Sequence, residues 1–266
     1  MTTRVPRTAL IILTIVVVLG AGIFFAVSQL IRQAEPYVRG ENCQITTPDG
    51  TLELDIEQSQ VASTIAAVAS RRKLPERALE IAYITAIQES KLSNIPYGDR
   101  DSVGVFQQRP SQGWGTVEQL MDPVYATRKF FAALEKVEGY LDMPLHDAAQ
   151  EVQRSADGGA YADHRAMAII LAGAFSGRVP KAVHCWYPPA EKPVKTTLDK
   201  ARTELTRALG AAARKDSWLV ATWYVTHAQK YGLHQISYQG VKWTAESGYD
   251  GWQQDESGKD APMAVA

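Results

Sequence analysis

The chain has 266 residues, with 28 Lys plus Arg against 29 Asp plus Glu and 45% hydrophobic residues. That length allows one or two domains, and the near-neutral charge lacks the basic footprint of a nucleic-acid binder. No internal repeat or low-complexity tract stands out.

Residues 8–31 carry no charged side chain and are rich in Ile, Val, Leu and Phe. At ~1.5 Å per residue, a helix of that length crosses a ~30 Å hydrocarbon core. Arg4 and Arg7 precede it, so the positive-inside rule favours a cytoplasmic N-terminus. Arg32 and Arg39 on the other side make the bias modest. Ala26-Val27-Ser28 has the small-x-small form of a signal cleavage site, so secretion after cleavage is the alternative. The apolar run exceeds the usual ~7–15-residue signal core, which favours a retained single-pass anchor. Both readings place the body of the chain outside the membrane.

Residues 32–56 read as an extracytoplasmic stalk, with turn residues at Pro36, Gly40 and Pro48-Asp49-Gly50 and a short alternating piece at 51–54. Residues 58–73 have helical apolar spacing through Val61, Ile65 and Val68. Pro75 suits the first turn of the next helix, 75–92, where its missing N–H costs nothing. Ala78, Ala82, Ala86 and Glu89 share one face of that helix. Residues 94–116 form a long Gly-rich, aromatic loop, and loops of that length in compact domains are usually functional or disordered. Asp122-Pro123 then opens a helix as N-cap and first residue. Two more helices follow at 145–155 and 160–175, separated by Asp157-Gly158-Gly159.

The pattern predicts a mainly α protein with a helical domain over 57–177, a Pro-rich linker over 178–193 and a small α+β module over 194–266. In that module, 196–215 and 216–231 read as helices, 235–238 and 241–244 as a hairpin around Gln239-Gly240, and 261–266 as a last strand. Cys43 and Cys185 are the two cysteines. An oxidising compartment permits a disulfide between them, and two free thiols are the equal alternative.

Glu89-Ser90 closes a helix, and Ser102 and Gly104-Val105-Phe106-Gln107-Gln108-Arg109-Pro110 supply a Gly-x-x-Gln-x-x-Pro loop, followed by the Asp122-Pro123 helix start. Over about residues 60–170 these elements resemble the soluble lytic transglycosylase branch of the lysozyme-like superfamily. The fourth element departs from that family's Tyr-Asn-x-Gly segment: the nearest match is Val152-Gln153-Arg154-Ser155, with Tyr161 downstream. The loop variant, including YGDRDS and FQQRPSQGWGT, resembles membrane-anchored and exported actinobacterial proteins.

The resemblance implies a lysozyme-like domain that cleaves the MurNAc–GlcNAc β-1,4 bond of peptidoglycan with Glu89 as its catalytic carboxyl. It implies a substrate groove at Ser90, Ser102, Gly104, Phe106, Gln107, Gln108, Trp114, Gln153 and Tyr161. Gln107 would bind an N-acetyl carbonyl or sugar hydroxyl, and Phe106, Trp114 and Tyr161 would offer apolar platforms. A glycosidic acid needs a raised pKa, which burial against a small-residue wall provides. Ordinary glycosidases add a second carboxylate, for which Asp99 and Asp101 are the candidates. The alternative is that both pair with Arg100 or Arg109 and hold the loop.

The five histidines show no metal-ligand spacing, and no phosphate loop or nucleophile motif is evident, so neither metal nor cofactor is expected. The expected partners are peptidoglycan strands and a membrane crossed by one helix. A catalytically inactive wall-binding or scaffold protein of the cell envelope is the competing expectation.

Overall fold

In the computed structural model, residues 7–153, 159–188, 195–259 and 261–266 are described. The chain divides into two units, Met1–Gly40 and Glu41–Ala266. The first contains helix α1 (Arg7–Arg39), whose window Thr14–Ile31 is long and apolar enough to cross a membrane. Leu19, Phe24 and Phe25 in that window are exposed, as no soluble core packs around them. Arg4 lies outside the described residues.

The second unit begins where a stalk is expected, and the expectation fails. Residues up to Arg39 continue α1, and the next element is a hairpin of β1 (Asn42–Thr47) and β2 (Gly50–Leu54). Pro48-Asp49 forms its two-residue turn, in which Thr47 Oγ1 accepts the Asp49 N–H at 3.2 Å. Cys43, Ile45 and Thr47 alternate inward along β1. Of the turn residues that suggest a stalk, Pro48, Asp49 and Gly50 thus belong to a tight hairpin with one buried face, while Pro36 lies within α1.

The expected linker is likewise partly structural. Val183–Trp186 form β3, antiparallel to β1, in a sheet of order β2-β1-β3. Cys43 and Cys185 face each other across that ladder and are joined as a disulfide. Pro189 and Pro193 of the expected linker lie outside the described residues.

Helices fill the rest, so the unit is mainly α. Asp55 caps α2 (Ile56–Arg71) with a reciprocal Asp55–Gln58 capping box. α3 (Glu76–Ser90) follows, buried from Ala78 to Ile87 except at Glu80. Tyr83 anchors α3 to α2 by donating its hydroxyl to Ala62 O at 2.8 Å. Short α4 (Val117–Leu120) leads into α5 (Pro123–Leu134), with Asp122 as its N-cap. α6 (Leu145–Gln153), α7 (Gly159–Ala162) and α8 (Arg165–Phe175) surround α3 with α2 and α5. Arg154 and Ser155 of the expected helix 145–155, and Asp157 and Gly158 of the expected break after it, lie outside the described residues.

The C-terminal segment, expected as a small α+β module, packs on the helices before it. α9 (Leu198–Leu209) and the wholly buried α10 (Trp218–Thr226) pack on α2. Thr226 Oγ1 meets Ser63 Oγ at 3.1 Å, and Arg71 donates to Arg207 O at 2.8 Å. After α11 (Ala228–Tyr231), the hairpin β4 (Gln235–Tyr238) and β5 (Val241–Thr244) forms with β6 (Gln253–Gln254) and β7 (Ala264–Val265) a sheet of order β6-β5-β4-β7. Trp243 and Trp252 donate to the Cys185 and Val183 carbonyls of β3, both at 2.9 Å. A segment of seventy-odd residues is small for independent stability, and here it shares one core with the helices before it.

Candidate active site

The end of α3 is fixed before any side chain is considered. Lys91 and Leu92 adopt left-handed backbone (φ 56° and 63°). Their N–H groups return to Ile87 O (2.9 Å) and Ala86 O (3.0 Å), satisfying carbonyls the helix would leave open. Arg100 (φ 56°) and Gln107 (φ 46°) in the following loop are also left-handed. Such conformations cost energy in non-glycine residues and collect where the surroundings hold them for function.

The loop is lashed to the helix end. Ser90 Oγ donates to Val105 O at 2.7 Å, Gly104 N–H to Ile95 O at 2.7 Å, and Val103 N–H to Gln108 O at 3.1 Å. Gly104 is required by both its φ of +78° and its space, since a Cβ there would lie 2.4 Å from Leu120 O. Asn94 ties the loop's start to the turn before α5, with Nδ2 donating to Met121 O at 2.8 Å.

Glu89 is half-buried on this frame. The Tyr161 hydroxyl, from α7, donates to its Oε1 at 2.6 Å. Gln153, from α6, donates to Phe106 O at 2.7 Å and also to the Glu89 carboxylate. Burial raises the Glu89 pKa above the ordinary carboxylate value, and the bonds from Tyr161 and Gln153 pull it back only in part. The group can therefore hold a proton at higher pH than a surface glutamate and exchange it with a ligand.

The two loop aspartates have other work. Asp101 accepts from Arg109 Nε (2.8 Å), Ser111 N (2.8 Å) and Ser111 Oγ (2.9 Å). These donors hold it well below the usual carboxylate range, so it stays charged. Asp99 is exposed and lies 3.9 Å from Arg100. Neither is among the groups that shift Glu89.

Several residues expected to face substrate are buried instead. Phe106 is no sugar platform: it is fully buried and stacks on Phe130, centroids 4.5 Å apart. Gln108 is 2% exposed and donates to Ala126 O, with its Oε1 unpartnered among the described residues. Ser90 and Ser102 are buried in the loop's anchoring. Tyr161 is 2% exposed and presents its hydroxyl to Glu89 rather than a ring face to solvent. The rings of Phe106 and Tyr161 are equally a core signal in sequence, whereas Gln108 and Ser90 are buried because they bond backbone carbonyls.

Gln107 and Trp114 remain partly accessible. Gln107 Nε2 turns back on Tyr97 O and Gly104 O, both at 3.2 Å. Trp114 packs against the core, and its carbonyl accepts from the Tyr125 hydroxyl at 3.3 Å. Two nearby features escape the sequence reading. Tyr97 is the exposed loop aromatic, at 70%. Gln88, beside Glu89, meets His164 Nε2 at 2.8 Å. Only the loop position of Tyr97 could have signalled the first, and nothing in the sequence pairs the second.

Among the described residues no group of His, Cys, Asp and Glu is arranged to hold a metal. Two surface clefts are lined by residues of α9, α10 and their neighbours, not by Glu89. No protein-family model matches the chain, and no curated protein sequence matches it.

Proposed function

We propose that this chain is a membrane-anchored peptidoglycan lytic transglycosylase with a lysozyme-like catalytic domain, and that Glu89 is its one catalytic carboxyl. The observation that carries this reading is a half-buried carboxyl of raised pKa at the end of a central helix, bound by Tyr161 and Gln153. In the proposed reaction, protonated Glu89 gives its proton to the glycosidic oxygen as the bond to C1 of the muramyl sugar breaks. The sugar's N-acetyl group assists departure. Glu89, now a carboxylate, takes the proton of the muramyl 6-hydroxyl as that oxygen bonds to C1, which yields a 1,6-anhydro product. No second carboxylate is needed, in keeping with the engagement of Asp101 by Arg109 and Ser111. α1 would hold the enzyme in the cytoplasmic membrane with its N-terminus inside and residues 41–266 outside.

One observation favours a second reading, an inactive wall-binding protein. The Tyr161 hydroxyl already occupies a Glu89 oxygen from a buried position.

The test is digestion of purified peptidoglycan by the full chain in a non-ionic detergent, beside Glu89→Gln, with products read by mass spectrometry. Anhydro-muropeptides from the native chain alone support the proposal. Reducing-end products would replace transglycosylation with hydrolysis. Sedimentation with the wall and no release by either protein would favour the binding role. Retention of the chain in carbonate-washed membranes tests the anchor against a cleaved signal.

A further inference from the structure

A cleft of about 320 Å³ opens between α9, the 3-10 turn after it, α10 and β7, and the proposed chemistry at Glu89 makes no use of it. Its volume lies at the lower end of the range for small-molecule sites. Val220 of α10, with Met263 just before the last strand and Val265 within it, gives it an apolar floor. Arg202 of α9 and Arg214 of the turn bring two guanidiniums to its rim.

The state of these polar groups is informative. Arg214 makes no hydrogen bond or ion pair among the described residues, and it is exposed. Arg202 sits beside Tyr224 and lies 3.7 Å from the fully solvated Asp199. Asp216 is the one acid among the described residues that line the cleft, and its Oδ2 is taken by the Met263 N–H at 2.8 Å. Asp199 beside Arg202 is fully solvated and screened, so among the described lining residues two cations face one acid, an excess that suits a monoanion better than a dianion. Guanidinium pairs bind planar oxyanions most strongly when bonds run in parallel. The apolar floor requires that the anion carry an apolar group within a few bonds.

We propose that this cleft binds the C-terminal end of a short peptide, its carboxylate held by Arg202 and Arg214 and its last, apolar side chain on Val220, Met263 and Val265. The site is independent of Glu89, and it makes the body of the protein a peptide-binding as well as a candidate glycan-cleaving unit.

The test is calorimetric titration of the full chain in non-ionic detergent with N-acetyl-alanyl-valine and with its C-terminal amide. The free acid is expected to bind and the amide to bind about tenfold or more weaker, the loss typical of charge-assisted bonds. Arg214→Gln should weaken the acid by a similar factor and leave the thermal midpoint unchanged, since the Arg214 side chain is exposed and pairs with no described residue. Glu89→Gln should bind the acid as the native chain does, which separates this site from the proposed catalytic one. Equal binding of acid and amide, an unaffected Arg214→Gln, or no heat at millimolar peptide would overturn the proposal. Inorganic phosphate that binds more tightly than the peptide would also overturn it, because the site would then select a dianion.

Discussion

His227 is set to make the protein acid-labile. It is 2% exposed, its ring stacks on Trp223 with centroids 3.8 Å apart, and its Nδ1 meets Trp223 O at 2.9 Å. Burial pushes its pKa down from 6.5 to about 4, with Trp223 O and Glu204 opposing and Lys230 reinforcing the shift. The unfolded chain therefore binds a proton first as pH falls, and stability drops through the window from about 6.5 to about 4. Linkage gives a loss of about 2 kcal/mol between pH 7.5 and 5, and about 3 kcal/mol once pH is below 4. His164 and His184 are also shifted down by burial, while Glu89 is shifted up and acts in the opposite sense. The measurement that isolates His227 is thus a difference: urea unfolding free energy at pH 7.5 and at pH 5, for the native chain and for His227→Phe. The ring keeps the stack with Trp223, so the variant should lose some stability at both pH values but lack about 2 kcal/mol of the native pH dependence. An unchanged pH dependence in the variant would refute the reasoning, because the buried imidazole would then not be the group that titrates.

Other expectations rest on single contacts. Tyr161→Phe removes a bond that lowers the Glu89 pKa, so Glu89 should stay protonated to higher pH and the alkaline limb of any glycan-cleaving profile should move up; a shift downward would contradict the assignment of the acid. Replacing both Cys43 and Cys185 by Ala opens a loop whose ends are 142 residues apart, at a cost of up to about 5 kcal/mol by loop-closure entropy. Denaturant midpoints that match those of the disulfide-bonded chain would refute it. Phe106→Ala should destabilise by about 3–5 kcal/mol, as for a buried aromatic, and lower peptidoglycan release only through folding; an intact melting curve with lost release would restore Phe106 to the substrate face.

Local rules made much of the helical body legible. Asp122-Pro123 starts α5, Pro75 precedes α3, and Gln239-Gly240 turns the β4–β5 hairpin, each through backbone chemistry that acts within a few residues. The features that escaped the sequence depend on distant partners. β1 looks like a polar stalk because only every second residue is buried, and its pairing strand β3 lies in a Pro-rich segment far along the chain. The joining of 41–177 to the C-terminal segment rests on α9 and on α10, which is buried all round, apolar but for Thr222 and Thr226, and so shows no amphipathic face to reveal what it packs on. In the candidate site, Glu89 and the loop were legible from their order in the chain. The orientation of Phe106 and Tyr161 was not, because a ring suited to stacking on sugar is equally suited to a core, and that of Gln108 was not, because its partner, Ala126 O, lies on another element.

The three-stranded sheet sets a timetable for the newborn chain. Its central strand, β1, is made at the start of the body, and β3, which covers one side of it, arrives only with Val183–Trp186. At ~5–20 residues per second, an interval on the order of 10–30 s passes before that edge can close. Until then β1 offers unpaired amides to any other chain, the condition under which strands pair wrongly. A chaperone that shields the first hairpin, or an oxidase that acts only after residue 186 has emerged, would therefore act on a risk to yield that the finished fold no longer shows.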